Sequence, residues 1–242
     1  MDPATQTALA PVHPPRRGPS PRALRAILIT TLVALAVAAL LHAGRYVLLI
    51  INRDLLLNPI VATVANDITI VASVGVILSI VGFAYALTDW LIARRAAAFE
   101  QHDRPEPRSG WTLWLGCLVP VVNLFWALTF VVELATNEGK YRELRRLIWS
   151  WWVLFVLSTV VSVYATVMSF LVDTTQGIAD NTLTFVVAYL MAMAAVIAVS
   201  RVLFSFERAP VQRPSHRWIV VDDETQAKAP AAVEPDGQEP AA

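Results

Sequence analysis

The sequence predicts an all-α membrane protein, a polytopic helical bundle with four transmembrane spans plus one Pro-broken segment that is re-entrant or kinked. Three observations carry this reading. Hydrophobic residues make up 56% of the 242 residues and charged residues 16%, well below the roughly 25% charge of soluble domains. The apolar residues collect in five blocks, 26–43, 68–87, 111–134, 149–172 and 183–204, each near the 20 or so helical residues that cross a hydrocarbon core of about 30 Å. No block alternates with a period of two, as the strands of a membrane barrel do. Helices are then the remaining way to satisfy backbone groups in lipid. The single cysteine, Cys117, has no partner for an internal disulfide.

Residues 1–22 hold six of the fifteen prolines and almost no large apolar side chain. Such a segment buries too little apolar surface to offset chain entropy, and it is expected to be a disordered, cytoplasmic tail. Residues 207–242 read the same way, with one apolar island at Arg217–Val221. Between them, residues 23–206 form the predicted membrane domain.

The first block, 26–43, follows four arginines but ends in Leu41-His42-Ala43, a poor cleavage tripeptide because Leu is too large at its first position. A retained anchor is expected. Segment 45–57, apolar with charged interruptions, either extends that helix or lies along the outer interface. The second block carries Ala72, Gly75, Ser79, Gly82 and Ala86 at helical spacing, and the fourth carries Ser158, Ser162, Ala165 and Ser169. Stripes of small residues let helix backbones approach closely, so both read as seams within the bundle.

The third block, 111–134, breaks at Pro120, which lacks a backbone donor and clashes with the preceding turn. Asn123, one turn on, offers a side chain to the freed carbonyls. From Trp111 to Pro120 a helix rises only about 15 Å, half the hydrocarbon core. A helix–turn–helix excursion and a single kinked span both fit. The basic residues favour the first. Four precede or open the first block, two (Arg45, Arg53) follow it, four lie between the second and third, four between the third and fourth, none between the fourth and fifth, and five beyond. With a re-entrant third block, seventeen fall on one face and two on the other, which the positive-inside rule assigns to the cytoplasm. Both termini are then cytoplasmic, in a multi-pass protein of the inner cell membrane.

Gly110-Trp111, the run Trp114–Asn123 with its V-P-V-V-N-L core, Val131-Val132-Glu133-Leu134, Trp151-Trp152, and Asp89-Trp90 with Arg94-Arg95 resemble an uncharacterised actinobacterial multi-pass membrane family, domain of unknown function 4328. The resemblance covers roughly residues 65–205. It implies a fold and a membrane setting, and no reaction. Where the family pattern has a second proline four residues after the Asn, this chain has Ala127, which argues against a second break.

Ionisable residues in or beside spans are functional candidates because their burial in lipid is costly. They are Asp67, Asp89, Glu133 and Arg201, with Arg201 placed to pair with Asp89 or Glu133. Pro120 and Asn123 complete the candidate motif. The four histidines are scattered and no nucleophile, phosphate or zinc motif occurs, so no enzyme activity, cofactor or metal is expected. Cys117 reads as a buried, inert thiol. The juxtamembrane basic groups are expected to meet anionic lipid headgroups and not nucleic acid. A non-enzymatic scaffold or assembly component of the cell envelope, with tails that recruit membrane or cytoplasmic partners, is the leading expectation. A small transporter or channel-like protein using Pro120–Asn123 is the alternative.

Overall fold

The computed structural model describes residues 18–55, 58–101 and 106–207, and the tail expectations, apart from residues 18–22 and 207, lie outside them. Six helices follow in order: α1 Pro21–Asp54, α2 Pro59–Glu100, α3 Gly110–Leu118, α4 Pro120–Asn137, α5 Tyr141–Leu171 and α6 Thr175–Glu207. Each of the first two opens on a capping side chain followed by proline. Ser20 Oγ accepts from the Ala23 N–H, and Asn58 Oδ1 from the Ile60 N–H. These side chains satisfy amides that have no partner in the first helical turn, where proline costs nothing because its missing donor would be idle. Helix α1 starts inside the expected tail, at Pro21. It then runs on through residues 45–54 of the 45–57 segment, so that part extends the helix.

All helices except α3 are long and apolar enough to cross a bilayer. Their surface agrees: Val71 and Leu78 on α2 and Phe170 on α5 are exposed by about 70–80%, a disposition that lipid accepts and water does not. Helix α4 is the shortest of the five, at 18 residues, and its most apolar stretch reaches a mean hydropathy of only 1.3 against 2.1–2.4 for the others.

Helices α3 and α4 fold back on each other. A Cβ on Gly116 would lie 2.7 Å from the Phe130 ring and 3.2 Å from Trp126 Cβ, whereas fourteen residues of continuous helix span about 21 Å. The reversal is made by Val119 alone, in extended conformation, with Pro120 starting the new helix. The segment is therefore a hairpin, and a single kinked span is excluded. Helix α4 runs unbroken through Ala127. Asn123 does not play the expected part: its backbone N–H bonds to Val119 O at 2.8 Å, while its side chain makes no hydrogen bond among the described residues.

The helices close into a ring. Helix α1 packs on α2 and α6, α6 on α5, α5 on α4, and the α3–α4 hairpin on α2. One end of the ring gathers the start of α1, the end of α2, the base of the hairpin, the start of α5 and the end of α6. Leu24, Ala86 and Leu203 share a core there, and Arg94 reaches both Glu138 and the Phe206 carbonyl. The opposite end joins α1 to the start of α2 through Arg45 and Thr69. Ten described basic residues lie towards the first end and two, Arg45 and Arg53, towards the other. The hairpin's base and the two ends flanking it share one level, as the re-entrant reading requires.

The small-residue stripes are seams only in part. On α2, Ala72 packs against the α1 core, Ala86 is buried, and Ser79 O accepts a bond from Thr31 of α1. Gly75 and Gly82 face outward, and a Cβ on either would meet nothing within 4 Å. On α5, Ser158 and Ala165 are buried, whereas Ser169 is exposed. Between α4 and α5 the chain turns at Gly139, whose φ of +70° lies in the left-handed region that disfavours a side chain. The Lys140 N–H bonds to Ala135 O and the Gly139 N–H to Thr136 O, closing α4 by the double hydrogen bond that such a residue permits.

Candidate functional site

The base of the hairpin is an ion-pair latch. Arg94 and Arg95, neighbours at the end of α2, point to its two sides. Arg94 grips Glu138 with two hydrogen bonds, at 2.7 and 3.0 Å, and Lys140 meets the same carboxylate at 2.7 Å. Arg95 is fully buried. It donates to the Phe130 carbonyl at 3.0 Å and pairs with Glu106 at 2.8 Å and Glu133 at 3.1 Å. Arg108 closes the circuit, binding Glu133 in fork geometry. Planar guanidinium groups suit such two-toothed contacts, which fix orientation as well as charge.

Phe130 sits at the centre. Its ring is fully buried, with the Arg95 and Arg108 guanidinium groups 5.7 and 5.2 Å from the ring centroid and Gly116 against its edge. Cations over an aromatic face are attracted by its quadrupole, more strongly away from water. Helix α2, both arms of the hairpin and the 106–108 segment are thus tied at one point.

Burial works to raise the Glu138 carboxyl. The hydrogen bonds from Arg94 and Lys140, with their charges, outweigh it and hold the group below its ordinary value. A depressed carboxyl stabilises the fold fully above its unfolded value of about 4.3 and loses that contribution as pH falls through the lower folded value. Unfolding followed against pH from 7 to 3 in lipid nanodiscs should show an acid-sensitive limb below about pH 5. Glu138→Gln is expected to flatten that limb and to cost about 2–3 kcal/mol at pH 7, since it removes the shared anion of two charged donors.

Above the latch, inside the ring, lies an apolar cavity of about 380 Å³ between α2, the hairpin, α5 and α6. Its floor is made of buried Leu134, Leu203 and Phe206, and its upper lining includes Ile80 and Val163, which are 39% and 57% exposed. Thr88 and Thr159 line it but return their hydroxyls to the carbonyls of Ala84 and Phe155. Asn123 faces the cavity with an uncommitted amide.

A family model described as Domain of unknown function (DUF4328) matches residues 53–208. The chain belongs to this family. No curated protein and no solved structure matches the chain. The DUF4328 match takes in α2 to α6, and so the whole hairpin, the latch and the cavity.

The candidates from sequence divide. Pro120 opens α4 at the hairpin tip, and Asn123 lies one turn on, at the cavity. Glu133 belongs to the latch. Asp67 is exposed at the opposite end, where Asn66 donates to it at 3.4 Å. Asp89 is half-buried on α2 and has no ion-pair partner among the described residues. The expected pairing of Arg201 with Asp89 or Glu133 is not made: Arg201 is exposed on α6, while Glu133 is taken by Arg95 and Arg108. Helix α6 turns Arg201 outward because Val202, Leu203 and Phe206 occupy its inner face.

Sequence reasoning missed Arg95, Glu106, Phe130 and Glu138. Two adjacent arginines at one helix end and two acids five residues apart at another were the available signal. It also missed a polar layer at the opposite end. There His42, buried on α1, bonds through Nδ1 to Ala38 O and packs against Tyr189. The Tyr189 hydroxyl meets Ser73 at 2.8 Å, tying α6 to α2. Among the described residues no group of three metal-binding side chains occurs.

Proposed function

We propose that this integral membrane protein is a non-enzymatic scaffold of the cell membrane, anchored on its cytoplasmic leaflet by anionic headgroups and recruiting partners through its tails. The observation that carries the reading is the division of the arginines at the hairpin-bearing end. Arg94, Arg95 and Arg108 are consumed by the latch, while Arg142, Arg145 and Arg146 on the first turns of α5 are exposed and have no ion-pair partner among the described residues. Exposed cations beside a bilayer gain about 1 kcal/mol each from an anionic leaflet. The same excess of arginine supports a cytoplasmic location for that end.

The test is a triple change, Arg142, Arg145 and Arg146 each to Gln, in nanodiscs with and without phosphatidylglycerol. The natural chain should gain thermal stability from the anionic lipid, and the triple variant should lose most of that gain while keeping its stability in neutral lipid. Equal gains in both would remove the headgroup role. Deletion of residues 1–20 should cost the protein its co-purifying partners if the tail recruits them.

A second reading, a small transporter or channel-like protein, draws on the uncommitted Asn123 amide at the cavity. It expects Asn123→Leu to abolish function and the tail deletion to be tolerated. The scaffold reading expects the reverse.

A further inference from the structure

We infer that the apolar cavity is a binding site for the methyl end of a membrane-lipid hydrocarbon chain, which enters from the leaflet opposite the hairpin, past Ile80 and Val163.

Depth sets the entry point. Cys117, two residues before the hairpin tip, lies against Thr88, which is seven residues, about 10 Å, along α2 from Arg95 of the latch. The tip at Val119 is a few ångström deeper, near half of a core about 30 Å thick. Below that depth the hairpin fills the space between α2 and α5. Above it, no part of α2 approaches α5 closely, and both helices present exposed apolar side chains, Ile77, Val81, Val160 and Val167 among them. The exposed members of the cavity lining are Ile80 on α2 and Val163 on α5; Ile80 lies about 22 Å along α2 from Arg95, beyond the midplane and within the opposite leaflet. The cavity thus opens over the hairpin tip, towards hydrocarbon and away from water.

Shape and chemistry select the occupant. From Ile80 to Leu91 the lining follows α2 for about 17 Å, close to the thickness of one leaflet. The volume falls within the usual range of ligand pockets, roughly 300–1,000 Å³. Apolar cavities exclude water and accept apolar guests, and an empty one forfeits the dispersion contacts of its walls. The threonine hydroxyls along it are already bonded to their own helix, which leaves the Asn123 amide and the Ser158 and Ser162 hydroxyls as polar points on an otherwise apolar wall. A headgroup cannot follow, because the ion-pair latch closes the far end beneath Phe206 and Leu134. The chain therefore enters methyl end first, with its headgroup at the interface opposite the hairpin.

The test uses the full chain in vesicles of phosphatidylcholine and phosphatidylglycerol, doped with one of three photoreactive probes. These are a phospholipid with a diazirine at the chain end, the same phospholipid with the diazirine beside the glycerol, and a free fatty acid with the diazirine at its end. Cross-links are mapped by mass spectrometry. The chain-end phospholipid is expected to label cavity residues such as Leu87, Phe155 and Ala195, and the glycerol-proximal probe is expected to spare them. Ala195→Phe and, separately, Ser162→Phe fill the cavity and should cut that labelling at least fivefold, leaving labelling at exposed Leu78 and Phe170 unchanged. Chain-end labelling confined to outward positions overturns the inference, as does equal cavity labelling by the glycerol-proximal probe. Labelling by the fatty acid alone also overturns it. The natural chain decides these outcomes even if neither filled variant folds.

Discussion

Arg95→Met destabilises the membrane domain by about 3 kcal/mol, the largest effect expected of any substitution in the latch. Methionine matches the length of the arginine stem, so packing against Phe99 and Phe130 is largely kept and the loss isolates the charge. What remains is Glu106 buried by four-fifths without its cation, and a Phe130 carbonyl without its donor. Breaking one side of a buried ion pair costs about 3–5 kcal/mol, because the other charge is left uncompensated. Glu133 retains Arg108, which places the loss at the lower end. Thermal unfolding in nanodiscs measures it. Adding Glu106→Gln to Arg95→Met should recover about half, since the stranded charge is removed; two losses that simply add would show that the groups do not act together. The alkylation rate of buried Cys117 gives a local readout, and should rise as the hairpin loosens from α2.

Gly116→Val produces the second large effect, of about 2–3 kcal/mol. The added Cβ would meet Phe130 Cε2 at 2.7 Å and Cζ at 2.9 Å, closer than carbon atoms approach. Phe130 cannot retreat, for the guanidinium groups of Arg95 and Arg108 flank its ring. Overpacking of this kind costs about 1–3 kcal/mol, and valine also resists the adjustment because its χ1 is confined in a helix. Gly82→Val is the matched control. It lies in helix α2 with nothing within 4 Å and should change stability little. Comparable losses in the two variants would mean that helix propensity, not the hairpin contact, sets the cost.

Much of the architecture is legible in the order of residues alone. Charge-poor blocks locate the long helices because burial in lipid leaves so few alternatives, and Pro120 locates the hairpin because proline ends one helix and begins the next. The arginine distribution agrees with the hairpin, since folding α3 back on α4 gathers most of the described basic residues at one end. The pairing inside the latch is not legible. Which acid meets which arginine depends on the rotation of α2 and α6 about their own axes, and patterning in lipid-exposed helices leaves that rotation open when most faces are apolar. Arg201 and Arg95 look alike in sequence, yet one is turned out to solvent or lipid and the other is sealed. Phe130 is hidden for a related reason: within an apolar run, nothing marks the one ring that two cations flank. Gly116, read only as part of a family-like run, is the residue that permits the arms of the hairpin to meet.

The most direct measurement of the hairpin topology is the sidedness of three single cysteines, introduced in a Cys117→Ala background at exposed Glu100, Thr136 and Gln176. Oriented membrane vesicles are treated with a membrane-impermeant maleimide before and after permeabilisation. Glu100→Cys and Thr136→Cys are expected to react from the same face, and Gln176→Cys from the opposite one. Reaction of the first two from opposite faces would mean that 110–137 crosses the bilayer, and would contradict the re-entrant hairpin.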